Sequence, residues 1–86
     1  DELQISLFPN PFNPTTTLSF DLIHSCMVKL KVFDVIGRQV ATLIDKNMTA
    51  GSHQVMFDGA GLTSGIYFAR MTAGSKTMTQ KMMLIR

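Results

Sequence analysis

Two histidines, one cysteine and six acidic side chains are the residues of this chain that could carry acid–base, nucleophilic or metal chemistry. Nucleophilic catalysis needs a nucleophile within reach of a base. Acid–base work needs a tuned carboxylate or histidine, and metal catalysis needs a ligand set with an open position. His24 and His53 stand alone, one in a connection and one at the start of a strand-like run. His24-Ser25-Cys26 could place two soft ligands on one face of a strand, but no further ligand follows at zinc spacing. The acids are dispersed and form no D-x-D-x-D-G calcium loop. The seven methionines recur at no short fixed spacing and read as flexible core filler. The residue pattern predicts neither an enzyme nor a metal or cofactor site.

Asp58-Gly59-Ala60-Gly61-Leu62-Thr63-Ser64-Gly65 superficially resembles a phosphate cradle. A dinucleotide fingerprint requires a helix directly after its glycines, however, and here Ile66, Tyr67 and Phe68 follow, which are strand formers. Gly61 to Gly65 also misses the nucleophile-elbow spacing by a residue. A tight turn is the reading that remains. Asn47-Met48-Thr49 is formally a glycosylation sequon, meaningful only in a eukaryotic secretory pathway. The net charge of +2 arises from eight Lys and Arg against six Asp and Glu, placed one at a time along the chain, which reads as a solvated surface. Basic residues do not interleave with aromatics as they do in single-strand binders, so no nucleic-acid partner is expected, nor a small-molecule substrate. The single cysteine, Cys26, excludes an internal disulfide.

The elements that position these residues are strands. From Val28 to Leu43 the chain reads as a central hairpin. Val28, Leu30 and Val32 alternate with Lys29 and Lys31, the period-2 pattern of a strand with one buried face. Asp34 suits the first position of a type I turn, and Gly37 at the fourth can take the positive φ of a bulged hairpin return. Arg38 to Ile44 leads back.

Before the hairpin, Leu3, Ile5 and Leu7 mark a short first strand. It stops at Phe8-Pro9-Asn10-Pro11-Phe12-Asn13-Pro14, where the prolines remove amide donors and force extended conformations on the residues before them. A groove-binding polyproline ligand is a weak reading, because asparagines interrupt the prolines. A rigid corner carrying the chain between two sheets is preferred. Thr15 to Leu22 is a strand with Leu18, Phe20 and Leu22 inward, and Ile23-His24-Ser25 connects it to the hairpin. Asp45 to Gly51 reads as a loop, His53 to Phe57 as a fifth strand, and Gly65 to Met71 as a sixth whose inward face the pattern leaves open. After a turn at Ala73-Gly74-Ser75, Lys76 to Arg86 forms a seventh strand. Met78, Met82 and Leu84 lie on one face and Lys81, Met83 and Ile85 on the other, so Met83 and Ile85 are exposed unless something covers them.

Seven short strands at regular spacing predict an all-β, seven-stranded antiparallel immunoglobulin-like β-sandwich lacking the Cys-Trp-Cys core, with an open barrel as the alternative. The length of 86 residues makes residues 1–86 a single domain, with a radius of gyration of roughly 12 Å. The start at Asp1 without a methionine or signal peptide suggests a fragment of a longer protein.

Three blocks taken together carry a resemblance: Phe8-Pro9-Asn10-Pro11-Phe12-Asn13-Pro14 before Thr15-Thr16-Thr17; Phe33-Asp34-Val35-Ile36-Gly37-Arg38 with Val40; and Ser64-Gly65-Ile66-Tyr67-Phe68 with the ending Lys81-Met82-Met83-Leu84-Ile85-Arg86. In this order they resemble the C-terminal sorting domain of type IX (Por) secretion cargo proteins of Gram-negative bacteria, over nearly the whole chain. The resemblance implies a non-catalytic domain at the C-terminus of a larger secreted protein. That cargo passes through the periplasm, is directed across the outer membrane by the translocon, and reaches the cell surface or medium, often after a surface sortase removes the domain.

The family pattern also implies roles for particular residues. Gly65, Tyr67, Lys81, Leu84 and Arg86 become candidate recognition residues for the translocon or sortase. Pro9, Asn10, Pro11, Gly37 and Arg38 correspond to motif residues whose role is read as structural. Exposed cations on a terminal strand suit edge docking, and self-association through that edge is a related expectation. Two other classes share the architecture. A flagellar hook-capping scaffold lacks the Lys-x-x-Leu-x-Arg ending. A carbohydrate or adhesion module should show a row of exposed aromatics, whereas the six Phe here fall mostly at expected inward positions.

Overall fold

The computed structural model describes residues 4–86, and the regular structure in it is entirely β. Seven strands follow in order: β1 (Ile5–Phe8), β2 (Thr15–Leu22), β3 (Cys26–Asp34), β4 (Gln39–Met48), β5 (Gly51–Asp58), β6 (Gly65–Ala73) and β7 (Lys76–Leu84). They form two antiparallel sheets, one of three strands in the order β1-β2-β5 and one of four in the order β4-β3-β6-β7. Leu3, expected in the first strand, lies outside the described residues.

Alternation sets the faces. Val28, Leu30 and Val32 of β3 are buried, as are Leu18, Phe20 and Leu22 of β2 and Met82 and Leu84 of β7. On β6 the open choice resolves to Tyr67, Ala69 and Met71 inward. Ile5, Phe12, Phe57 and Ile44 complete a single core drawn from both sheets. The Cα radius of gyration is 12.5 Å. The hairpin turn forms as its residues predict: the Gly37 amide donates to the Asp34 carbonyl at 3.0 Å and Gly37 has φ +89°. Of the two hairpin strands only β3 is internal. β4 is an edge, and register shifts between Leu30 and Lys31 and between Val32 and Phe33 bulge it, a common protection of an exposed edge.

Several sequence expectations need correction. The proline-rich corner does not carry the chain between sheets: it joins β1 to β2, which pair directly with Ile5 opposite Phe20 and Phe8 opposite Thr17. The chain instead changes sheets after β2, after β4 and after β5. Asp45 to Gly51 is not a loop, because β4 runs to Met48 and β5 begins at Gly51. The polar side chains of Asp45, Lys46 and Asn47 are tolerated there because an edge strand leaves them in water. Nor are the phenylalanines mostly inward. Phe12, Phe20 and Phe57 are buried, but Phe8 is exposed, and Phe33 and Phe68 are half-buried cross-strand neighbours on the outer face of the four-stranded sheet.

Candidate functional site

The last residues of the chain are held from two sides. On one side β6 pairs with β7, with Gly65 opposite Leu84 and Phe68 opposite Lys81. On the other side the proline-rich loop takes the outward backbone groups. The Met83 amide donates to Asn10 Oδ1 at 3.0 Å, the Phe12 amide to the Met83 carbonyl at 2.9 Å, and the Ile85 amide to the Phe12 carbonyl at 2.9 Å. Phe12 and Leu84 thus form a short parallel bridge. The extended conformation that the prolines impose lets Phe12 lie as a strand rung, and its ring is buried edge-on to Phe57 with centroids 5.9 Å apart.

Gly59 lets this assembly close. A Cβ at that position would lie 3.2 Å from Leu84 Cδ2, 3.2 Å from the Pro14 carbonyl and 3.3 Å from the Phe12 ring. The Gly59 amide donates to the Pro14 carbonyl at 2.7 Å. Beyond β7, the Arg86 amide donates to Ser64 Oγ at 2.9 Å and Arg86 Nη1 to the Leu62 carbonyl at 2.6 Å. The tail is thereby tied to the loop before β6.

The β3–β4 turn reaches the same end of the molecule. Residues of the turn, among them Val35 and Ile36, and residues of the 61–67 segment, among them Leu62 and Ile66, line an open hollow of about 580 Å3. Asp34 organises the turn: its carboxylate accepts from the Ile36 amide at 3.1 Å, the Arg38 amide at 2.9 Å and Arg38 Nε at 2.8 Å. Partial burial raises the Asp34 pKa, but the Arg38 and Ile36 amides and the Arg38 guanidinium outweigh it and leave the carboxyl below its ordinary value.

The structure sorts the sequence-predicted residues. Lys81 and Arg86 are exposed, as is Gly65, whose φ of +151° favours glycine. Tyr67 and Leu84 are buried, and their side chains belong to the core. The Tyr67 hydroxyl donates to the Thr63 carbonyl at 2.7 Å, pinning the loop to β6. Pro9 serves through its carbonyl, which accepts from the buried Thr16 hydroxyl at 2.7 Å, and Pro11 is exposed. The expectation of edge docking by the terminal residues is corrected in part. Between Met83 and Ile85 the outer edge is already filled by Asn10 and Phe12, and among the described residues no backbone partner takes the outer edge of β7 toward Thr77.

Sequence reasoning missed Phe12, Gly59, Leu62 and Ser64 as partners of the tail. The available signal was a buried-type aromatic set among prolines, which a solvent-exposed corner would not need.

Among the described residues no three of His, Cys, Asp and Glu gather to hold a metal ion. What the molecule offers is a β domain whose distant motifs are assembled around its C-terminal strand. The chain belongs to the family of secretion system C-terminal sorting domains, whose profile matches residues 6–85. It is a sorting signal of the Por, or type IX, secretion system. No curated protein matches the chain. Among solved structures it is similar to PorZ, an essential bacterial surface component of the type IX secretion system of Porphyromonas gingivalis. The TM-score is 0.65 and the identity 18%, over 95% of this chain and 11% of that one. The likeness is one of fold, and this chain spans about a tenth of that protein.

Proposed function

We propose that this domain directs a larger cargo protein from the periplasm through the outer-membrane translocon, that the translocon or sortase reads its C-terminal end, and that a surface sortase then removes it. One observation carries the reading: blocks far apart in sequence, Asn10 to Phe12 and Leu62 to Ser64, fasten the same terminal segment. Lys81, Arg86 and the Gly65 backbone form the accessible part of that surface, and Tyr67 and Leu84 position it.

The strand order supports an immunoglobulin-like sandwich. Sheets β1-β2-β5 and β4-β3-β6-β7 correspond to that plan with the fourth strand on the second sheet. Tyr67, near the start of the sixth strand and bonded to the backbone at Thr63, occupies the place of a tyrosine corner.

The test is a fusion of this chain to the C-terminus of a fluorescent protein bearing a periplasmic signal peptide, expressed with and without a working translocon. Appearance outside the cell only with the translocon, and its loss on deleting Lys81 to Arg86, is the expected result. Retention of the folded fusion in the periplasm of a host that exports its own cargo would reject it.

A further inference from the structure

Sequence order hides where the charge sits. All eight Lys and Arg belong to the four-stranded sheet, its turns or the tail: Lys29 and Lys31 on β3, Arg38 in the turn, Lys46 on β4, Arg70 on β6, Lys76 and Lys81 on β7, and Arg86 after it. The strands β1, β2 and β5 contain none, and carry Asp21 and Asp58.

Four of the cations share the outer face of β3, β6 and β7. Lys31 is directly opposite Arg70, Lys29 is the next residue on that face of β3, and Lys81 is diagonal to Arg70 through its pairing with Phe68. Asp45, opposite Lys29, is the acid on these rows among the described residues, and none of the four cations is ion-paired with a described residue. Two cations directly opposed on a sheet repel each other, so the arrangement costs stability unless an anion is supplied from outside.

The same face has an apolar component. The Arg70 guanidinium lies 4.5 Å from the centre of the Phe33 ring, and Phe33, Val35, Phe68 and Arg70 border a hollow of about 200 Å3 that is also lined by Asp34, whose carboxylate is paired with Arg38. At the tip of this sheet Val35 and Ile36 are 65% and 72% exposed. Met83, 38% exposed, flanks the face. A cationic surface with a projecting apolar tip suits an anionic interface that is soft and laterally mobile. A fixed acidic protein surface would instead have to supply both a pocket for the tip and carboxylates matched to flexible lysines.

We infer that the outer face of β3, β6 and β7 docks on anionic phospholipid headgroups, with Lys29, Lys31, Arg70 and Lys81 over the phosphates and Val35 and Ile36 in the interface. Each cation near such a surface contributes roughly a fivefold gain in partitioning, so removing two should cost about 25-fold.

Flotation of the whole chain with vesicles of phosphatidylcholine alone, and of phosphatidylcholine mixed with phosphatidylglycerol, tests this. The expected result is binding to the mixed vesicles only, weakened about 25-fold in K31Q/R70Q, weakened also in V35S/I36S, and nearly unchanged in K46Q/K76Q, which removes the same charge elsewhere. Circular dichroism melts establish that each variant is folded. Should K31Q/R70Q not fold, the unmodified chain still decides: added salt must release it from the mixed vesicles. Equal binding to both vesicles, equal loss in K46Q/K76Q, or salt-insensitive binding would overturn the proposal. So would binding to soluble polyglutamate as tight as to mixed vesicles, which would assign the face to an acidic protein.

Discussion

Asn10 and Met83 are 73 residues apart in the chain and joined by a hydrogen bond of 3.0 Å from the Met83 amide to the Asn10 side-chain oxygen. With the adjacent Phe12 rung, this contact converts the end of an edge strand into an internal one. The amide and carbonyl that a terminal edge normally offers to other chains are thereby satisfied within the domain.

Asn10→Ala should therefore loosen the tail without unfolding the core. The amide it frees is near solvent, so the loss should be on the order of 0.5–1.5 kcal/mol in urea unfolding. Hydrogen exchange should locate it, with faster exchange at Met83 and unchanged protection at Leu30 and Ala69. Protection at Met83 equal to that of the unmodified chain would show that the side chain does not hold the strand.

Gly59→Ala should be costlier than its size suggests. Its methyl group would press on Leu84, on the Phe12 ring and on the backbone of Pro14, which cannot move aside because it accepts the Gly59 amide. Overpacking of this kind costs about 1–3 kcal/mol. For a domain of this length that corresponds to a drop in Tm of roughly 4–8 °C per kcal/mol, measurable by calorimetry.

Tyr67→Phe keeps the buried ring and removes the hydroxyl, with its bond to the Thr63 carbonyl at 2.7 Å and its longer contact to Thr63 Oγ1 at 3.5 Å. A loss of about 1 kcal/mol is expected, because the exposed loop can hydrate that carbonyl. If Tyr67 matters to export only by fixing the loop, an engineered constraint between the loop and β6 should restore export in the Phe variant.

Asp34 makes stability depend on acid. Its pKa is lowered in the folded protein from an ordinary 3.8, so the unfolded chain takes up its proton first as pH falls. The contribution is fully present above that value and is lost as pH drops through the lower folded pKa. Denaturation followed from pH ~5 downward should show this loss in the unmodified chain and not in Asp34→Asn, whose amide cannot titrate. Parallel curves for the two would remove Asp34 as the source.

The strands and, apart from β6, their faces were legible in the sequence because side-chain alternation is a local property. Val28, Leu30 and Val32 declare a buried face whatever their neighbours are, and Asp34 with Gly37 declares its own turn. The polar run 45–47 misled because an edge strand in water tolerates the composition of a loop. The motif residues at the C-terminal end could be named in advance, and alternation put Leu84 and Lys81 on opposite faces, yet the inward direction of Tyr67 could not be read. Pairing between strands depends on contacts remote in the chain, and nothing near Asn10 or Phe12 states that Met83 and Ile85 will lie beside them. The same holds for charge. Cations spread singly from Lys29 to Arg86 look like a solvated surface in one dimension, and only the order β4-β3-β6-β7 brings Lys31 against Arg70 and leaves the other sheet without a cation among its described residues.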